Sequence, residues 1–328
     1  MTVQSRPSGK GYTPPATGLL SLLPSSWVPF AELMRLDRPQ GYYAFYWHYL
    51  IGLSFAACDV SDSCTPFELL VLAAYLGLWV VVLRGSVCTV NDICDQDFDR
   101  QVARTRFRPL ARRAVSTTQA TVFTIAQLFV LALLTLPLPT SSYIFAAATT
   151  LALSVYPLGK RITHFPQVIL GLAFAIPIFM CCAILNRPTD TDDHSSRAVS
   201  ALYWVSTIWT VISDTIYAHQ DTDDDAKAGV KSLAVLLGQQ TKLWLSVLAI
   251  IQVALLVFIG AECDFSFLYY TLCCGGAALS LGVMLIKVDL RNPASCAWWF
   301  GPGARFMGCS LVGGFLAEYT YRRTGLQY

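Results

Sequence analysis

Charge is what this chain has least of. Of its 328 residues, 13% are charged and 55% are hydrophobic. Soluble proteins carry about 25% charged residues. A chain this long with so little charge points to lipid, rather than water, as its main solvent. The net charge of +2 and the lack of a basic patch interleaved with aromatics exclude a nucleic-acid partner. No C-x-x-C or H-E-x-x-H occurs, which argues against a zinc site. There is no apolar h-region with a small-residue cleavage site near the start. Pro7, Pro14, Pro15, Pro24 and Pro29 make the same stretch a poor amphipathic helix. Residues 1–31 are therefore read as a disordered cytoplasmic tail, and 32–328 as one membrane domain.

The eleven cysteines have no metal-binding pattern. Cys181–Cys182 and Cys273–Cys274 sit inside apolar runs, where small apolar residues fit between helices. Cys58 and Cys64 flank a short polar loop and could pair in an oxidising compartment, but the favoured reading of the cysteines is as small apolar residues between helices.

What is abundant is long apolar runs. A membrane-spanning helix needs roughly 20 mostly apolar residues. Nine stretches qualify: 42–58, 67–90, 119–137, 141–157, 167–186, 199–218, 242–260, 267–287 and 304–321. The expected fold is all-α, a polytopic bundle of nine transmembrane helices. Most of the 23 Lys and Arg fall before the first span and in the even-to-odd connections, which should face the cytoplasm. Arg322 and Arg323 lie on the opposite side, against this trend.

Where the second run ends, acids gather in "NDICDQDFD". Asn91, Asp95 and Asp99 recur every four residues, on one helix face, with Asp92 beside them. After the sixth run, Asp214, Tyr217, Asp221 and Asp225 step by three, four and four, again along one face. Like charges so near lipid repel one another. Acids at helix C-termini also oppose the helix dipole, so a solvated helix end is a poor account of both clusters. Hard oxygen ligands in this arrangement suit Mg²⁺, which binds through a few carboxylates together with substrate phosphates. An EF-hand starting at Asp221 fails, because Ala226 and Ser232 stand where Gly and Glu are required. A cation channel also uses acidic rings. Here basic residues are mixed in closely, which favours a bound anion.

Those basic residues are Arg35 and Arg38, Arg104, Arg106 and Arg108, Lys160 and Arg161, and Lys231. Arg84 aligns with Asn91 and Asp95 about two turns away, and a carboxylate of the acidic site is its expected partner.

At these residues the chain resembles the UbiA superfamily of intramembrane prenyltransferases. Its N-D-x-x-D-x-x-x-D signature is matched by Asn91, Asp92, Asp95 and Asp99, and R-T-x-x-R-P-L by "RTRFRPL". The second signature is matched by Tyr217, Asp221 and Asp225, followed by "DAKAGVKSLAVLLG". Tyr156 and Lys160 match Y-x-x-x-K, and "RLDRPQG" resembles the entry to the family's first helix. The resemblance implies nine helices around a central cavity, a cytosolic cap and Mg²⁺-dependent transfer of an isoprenoid group.

Under that reading Asp92, Asp95, Asp99, Asp221 and Asp225 hold Mg²⁺ and are the catalytic set. Asn91, Arg35, Arg104, Tyr156, Lys160, Arg161, Tyr217 and Lys231 bind substrate. Tyr46, Trp47, Tyr156 and Tyr217 are placed to shelter an allylic cation. His48, His164 and His219 are candidate proton acceptors whose ordinary role is structural. The expected substrates are an isoprenoid diphosphate and an aromatic acceptor, with the bilayer as surroundings and no obligate protein partner. The match is nearest the hydroxybenzoate-prenylating branch, and the short tail resembles fungal meroterpenoid members that transfer farnesyl to phenolic acids. An endomembrane such as the endoplasmic reticulum, with a cytosol-facing site, is the expected location. A membrane terpene cyclase and an anion transporter are the alternatives.

Overall fold

The computed structural model describes residues 12–13, 16–59, 64–102, 105–186, 194–222, 227, 229 and 231–325, without the side chains of Pro39, Lys160, Arg161, His194 and Ser195. Among the described residues there are helices and turns and no strand. The long helices are α2 (Pro39–Asp59), α3 (Pro66–Asp99), α4 (Thr117–Thr135), α5 (Tyr143–Ile162), α6 (Pro166–Ile184), α7 (His194–Ala218), α9 (Thr241–Glu262), α10 (Phe267–Lys287) and α12 (Ala304–Thr324). Short helices α1 (Val28–Leu33), α8 (Leu233–Leu237) and α11 (Pro293–Trp298) join them. Each of the nine apolar runs coincides with a long helix. Six helical stretches are long and apolar enough to cross a membrane: α3, α4, α5, α6, α8 with α9, and α10. The count of nine spans is thus not reached, because α2, α7 and α12 carry more polar residues.

Local chemistry starts several of these helices. Thr65 Oγ1 accepts from the Glu68 amide at 3.2 Å, and the Glu68 carboxylate accepts from the Thr65 amide at 2.7 Å, a capping box at the start of α3. Ser116 and Gln119 repeat it on α4. Pro166 opens α6, where a missing amide costs nothing. Helix α3 runs 34 residues, about 51 Å, well beyond a hydrocarbon core of about 30 Å. The first acidic stripe is therefore a continuation of the second apolar run as one helix.

Helix α6 packs against α2, α5 and α7, and α2 also packs against α3 and α12. Small residues permit the close crossings, as expected between membrane helices. A Cβ on Gly171 would lie 2.7 Å from the Thr207 carbonyl oxygen, and one on Gly314 would lie 2.4 Å from Cys273 Cβ. No disulfide joins Cys58 to Cys64, and Cys58 Sγ donates to the Phe315 carbonyl at 3.3 Å. The stretch read as a tail up to residue 31 holds helical structure in its described part. Leu20, Val28 and Ala31 are buried together against Leu23 and Leu36.

Gly314→Ala is expected to destabilise the bundle by about 1–3 kcal/mol, because backbone atoms of Cys273 cannot yield as a side chain can. Thermal unfolding in detergent checks this, and an unchanged midpoint would refute the close crossing.

Candidate active site

A cavity of about 310 Å³ lies between α2, α3, α5, α6 and α7 and the turn Trp299–Gly303. That volume is at the lower end for small-molecule sites. Its charged wall brings together Arg35, Asn91, Arg108, Asp214, Asp221 and Lys231. Members of both acidic stripes therefore face one space, as their spacing suggests. Tyr156 and Tyr217 line it too. The Tyr217 ring lies 4.3 Å from that of Phe300, centroid to centroid. Phe300 sits in a π-helical turn, a distortion often found at functional sites.

The carboxylates are not equivalent. Asp92 is 0% exposed. Oδ1 accepts from Arg35 Nη2 and pairs with Arg108 Nη1 at 3.2 Å. Arg108 Nη1 also meets both Asp99 oxygens, at 3.0 and 2.9 Å. Asp92 and Asp99 are thus committed to arginines that themselves line the cavity. Asp95 is half-buried one turn beyond Asn91 on α3. Arg104 and Asp225 lie outside the described residues, and of Lys160 and Arg161 only the backbone, at the end of α5, is described.

Arg35 sits at the α1–α2 turn with φ 58°, a left-handed conformation that costs a non-glycine residue about 1–3 kcal/mol. Several contacts hold it there. Its amide donates to the Glu32 carbonyl at 3.0 Å. Its own carbonyl accepts from Arg84 Nη1 at 3.0 Å, and the Arg38 carbonyl accepts from Arg84 Nη2 at 2.8 Å. The expected carboxylate partner of Arg84 is therefore replaced by two backbone carbonyls, groups that sequence spacing does not display. Burial works against the Arg35 charge, but Asp92, Cys88 and Asp37 together outweigh it, so its pKa is raised.

The adjoining loop is tied to the same turn. Glu32 accepts from Arg112 Nη2 and from the Tyr12 hydroxyl, both at 2.6 Å. On the far side of the cavity, Lys231 Nζ donates to the Ile162 carbonyl at 3.3 Å. Gln167 Oε1 accepts from the Leu233 amide at 3.0 Å, which anchors the segment after the second stripe.

Sequence reasoning overlooked part of this wall. It favoured Arg104 over Arg108 as a substrate contact, and it left Asp214, Trp209 and Thr210 out of the site. Asp214 was signalled by its place in the second stripe. Trp47 does line the cavity, whereas the Tyr46 hydroxyl donates to the Ala73 carbonyl at 2.7 Å, a helix-to-helix tie. His219 Nε2 is bonded to Thr241 Oγ1 at 3.1 Å, in keeping with a structural role.

Hard oxygen donors from both stripes beside cationic side chains fit a divalent cation bound together with an anion. Among the described residues no three of His, Cys, Asp and Glu form a cluster; Asp223, Asp224 and Asp225 lie outside them. Mg²⁺ also binds partly through substrate oxygens.

The class these features define is a membrane-embedded helical enzyme with an apolar cavity and a mixed-charge mouth. The chain matches the UbiA prenyltransferase family over residues 45–311 and belongs to that family; it is a prenyltransferase. It is 35% identical over 319 residues to the prenyltransferase ascA of Acremonium egyptiacum, covering 94% of this chain and 90% of that one. It is 36% identical over 278 residues to the mitochondrial 4-hydroxybenzoate polyprenyltransferase of Drosophila melanogaster, covering 85% and 68%. A UbiA homologue from Archaeoglobus fulgidus bound to DMAPP and Mg²⁺ has the same fold, with a TM-score of 0.64 at 15% identity over 91% of this chain and 100% of that one.

Arg108→Met should cost about 3–5 kcal/mol, because it strips a partner from two buried carboxylates. A thermal midpoint equal to wild type would show that Asp92 and Asp99 are not held as described. A pH effect follows from His219, whose pKa is lowered by burial. The unfolded imidazole titrates near about 6.5. Its stabilising contribution is thus complete above that pH and is lost as pH falls below it. Midpoints measured downward from pH 6.5 should fall less steeply in His219→Asn than in wild type.

Proposed function

We propose that this prenyltransferase moves an isoprenyl group, farnesyl in the best reading, from its allylic diphosphate to an aromatic carbon of a phenolic acid. One observation carries the reading: Asn91 and Asp221, one from each acidic stripe, face a single cavity together with Arg35, Arg108 and Lys231. The names of the two relatives and the Archaeoglobus complex support the same chemistry.

Asp95, Asp221 and Asn91 would hold Mg²⁺, and the family resemblance extends that set to Asp225. The bound ion would supply charge neutralisation for the departing diphosphate. Asp92 and Asp99 are positioning residues, which fix Arg35 and Arg108 where phosphate oxygens arrive. Lys231 adds a cation from the opposite wall. Lys160, Arg161 and Arg104 are the further phosphate and carboxylate contacts that the resemblance implies. Such charge-assisted bonds are strong in a water-poor site. As the C–O bond breaks, its electron pair leaves with the diphosphate. The allylic cation is then faced by Tyr156 and Tyr217, whose rings stabilise positive charge. The acceptor ring forms the new C–C bond and releases a proton. The isoprenoid tail is held by apolar surface at about 0.8 kcal/mol per buried CH₂.

Helices α2, α7 and α12, of 21, 25 and 21 residues, are long enough to cross as well. Nine spans, a mouth facing the cytosol, an endomembrane location and a single domain over 32–328 complete the proposal. The cavity-lining face of α7 carries Thr210, Ser213, Asp214 and Tyr217, which accounts for its lower apolarity.

The test is diphosphate release and product analysis with purified protein, farnesyl diphosphate, Mg²⁺ and a set of hydroxybenzoic acids. Asp95→Ala and Asp221→Ala should each lower the rate by about 100-fold or more, as loss of a key electrostatic group does, and EDTA should abolish it. Unchanged release in both variants would remove those residues from the reaction. A hydrocarbon product without acceptor would instead establish cyclisation.

A further inference from the structure

The second stripe does not stop at Asp214. Traced back along α7, the same face carries Thr210 and then Ser206, so that Ser206, Thr210, Asp214, Tyr217 and Asp221 step by four, four, three and four. Acids stand at the mouth end and hydroxyls at the deep end. At that deep end His48 of α2 closes the row. Its Nδ1 is hydrogen-bonded to Ser206 Oγ, and its Nε2 to Thr210 Oγ1 at 3.3 Å. His48 and Thr210 both line the cavity. The walls around them are aromatic: the His48 ring lies 5.3 Å from Phe174 and 5.4 Å from Trp209, centroid to centroid. These rings pack on His48 and give that end of the cavity an aromatic wall.

The direction of these hydrogen bonds can be worked out. Thr210 Oγ1 donates its one proton to the Ser206 carbonyl at 3.1 Å. It must therefore accept from His48, which places the imidazole proton on Nε2. Nδ1 then has only a lone pair, so Ser206 Oγ–H donates to it. Every proton of the group is used. What is left over is lone pairs, on Thr210 Oγ1 and Ser206 Oγ. A hydrocarbon tail gains nothing from them. A carbonyl or carboxylate would meet them oxygen to oxygen. A hydroxyl of a bound ring can donate to Thr210.

From this, and resting on the aromatic-acceptor reading above, we infer that His48, Ser206 and Thr210 form the subsite for the acceptor's phenolic hydroxyl. Thr210 is the specificity-determining contact, and His48 and Ser206 are positioning residues that fix its lone pair towards the ring. A phenol that donates here has more electron density on its oxygen. The carbons beside the hydroxyl are thereby made more nucleophilic, and the ring enters in one orientation.

The test compares hydroxybenzoic acids with their O-methyl ethers, first in wild type. The ethers, which have no proton to donate, should be poor acceptors. Thr210→Val keeps the shape and removes the hydroxyl. It should raise KM for the phenolic acid about tenfold, the worth of one hydrogen bond in a dry site, while KM for the isoprenoid diphosphate stays within about twofold. Thr210→Ser should behave like wild type, and the ethers should not distinguish Thr210→Val from wild type. The inference is overturned alone if wild type uses ethers as well as phenols, or if Thr210→Val shifts both KM values together or neither. If wild type releases diphosphate yet prenylates no aromatic acid, the aromatic-acceptor reading itself falls and takes the subsite with it.

Discussion

A carboxylate with no exposure to solvent, Asp92, governs the mouth of this protein. Burying one charge is costly, and the cost is offset only when partners approach with good geometry. Arg35 and Arg108 supply it, one from the α1–α2 turn and one from the loop after α3. Three separate stretches of chain are thereby forced to one point. Apolar contact alone would not do this, since lipid is as apolar as the helices and gives little direction to their packing. Small residues such as Gly171 and Gly314 let helices come close, but the ion cluster decides which ends meet. Arg84 extends the cluster by bonding the carbonyls of Arg35 and Arg38. The left-handed backbone at Arg35 is a sign of how strongly that turn is held.

Much of this could be read in the sequence, and the reasons differ by element. The long helices were legible because apolar runs of membrane length have few other uses. The two stripes were legible because a step of three or four residues means one helix face, whatever the surroundings. That Asn91 and Asp221 share a cavity also followed, from two similar clusters at corresponding helix ends. The partners were not legible. Nothing in the spacing of Asp92 shows that both its neighbours are guanidiniums reached across other segments. Arg104, Arg106 and Arg108 alternate in a loop, where spacing implies no common face, so choosing among them required the fold. Arg84 illustrates the same limit, since backbone carbonyls have no letter in a sequence.

The number of membrane spans shows a further limit. Hydropathy selects α3, α5 and α6, which line the cavity, and passes over α2 and α7, which line it too. Helices α2 and α7 contribute Tyr, His, Ser, Thr and Asp to the cavity wall, which lowers their apolarity. Polarity within a long helix thus marks a lining element as readily as a solvent-exposed one.

The charge arrangement also bears on why the site is open to an anion at all. Both stripes stand near helix C-termini, where the dipole is negative and acids are disfavoured. Around Asp92 and Asp99 the balance is met by Arg35 and Arg108. On the α7 side, among the described cavity-lining residues, Lys231 is the cation that faces Asp214 and Asp221. Carboxylates on the α7 wall and guanidiniums on the wall beside α3 give one cavity both signs of charge. Mg²⁺ binds through one or two carboxylates together with substrate phosphates. Arriving with a polyanion, it finds carboxylates on one side, phosphate oxygens on the other, and arginines already fixed to receive the remaining charge. Mixed charge of this kind is complementary to a divalent ion and an anion as a pair more than to either separately.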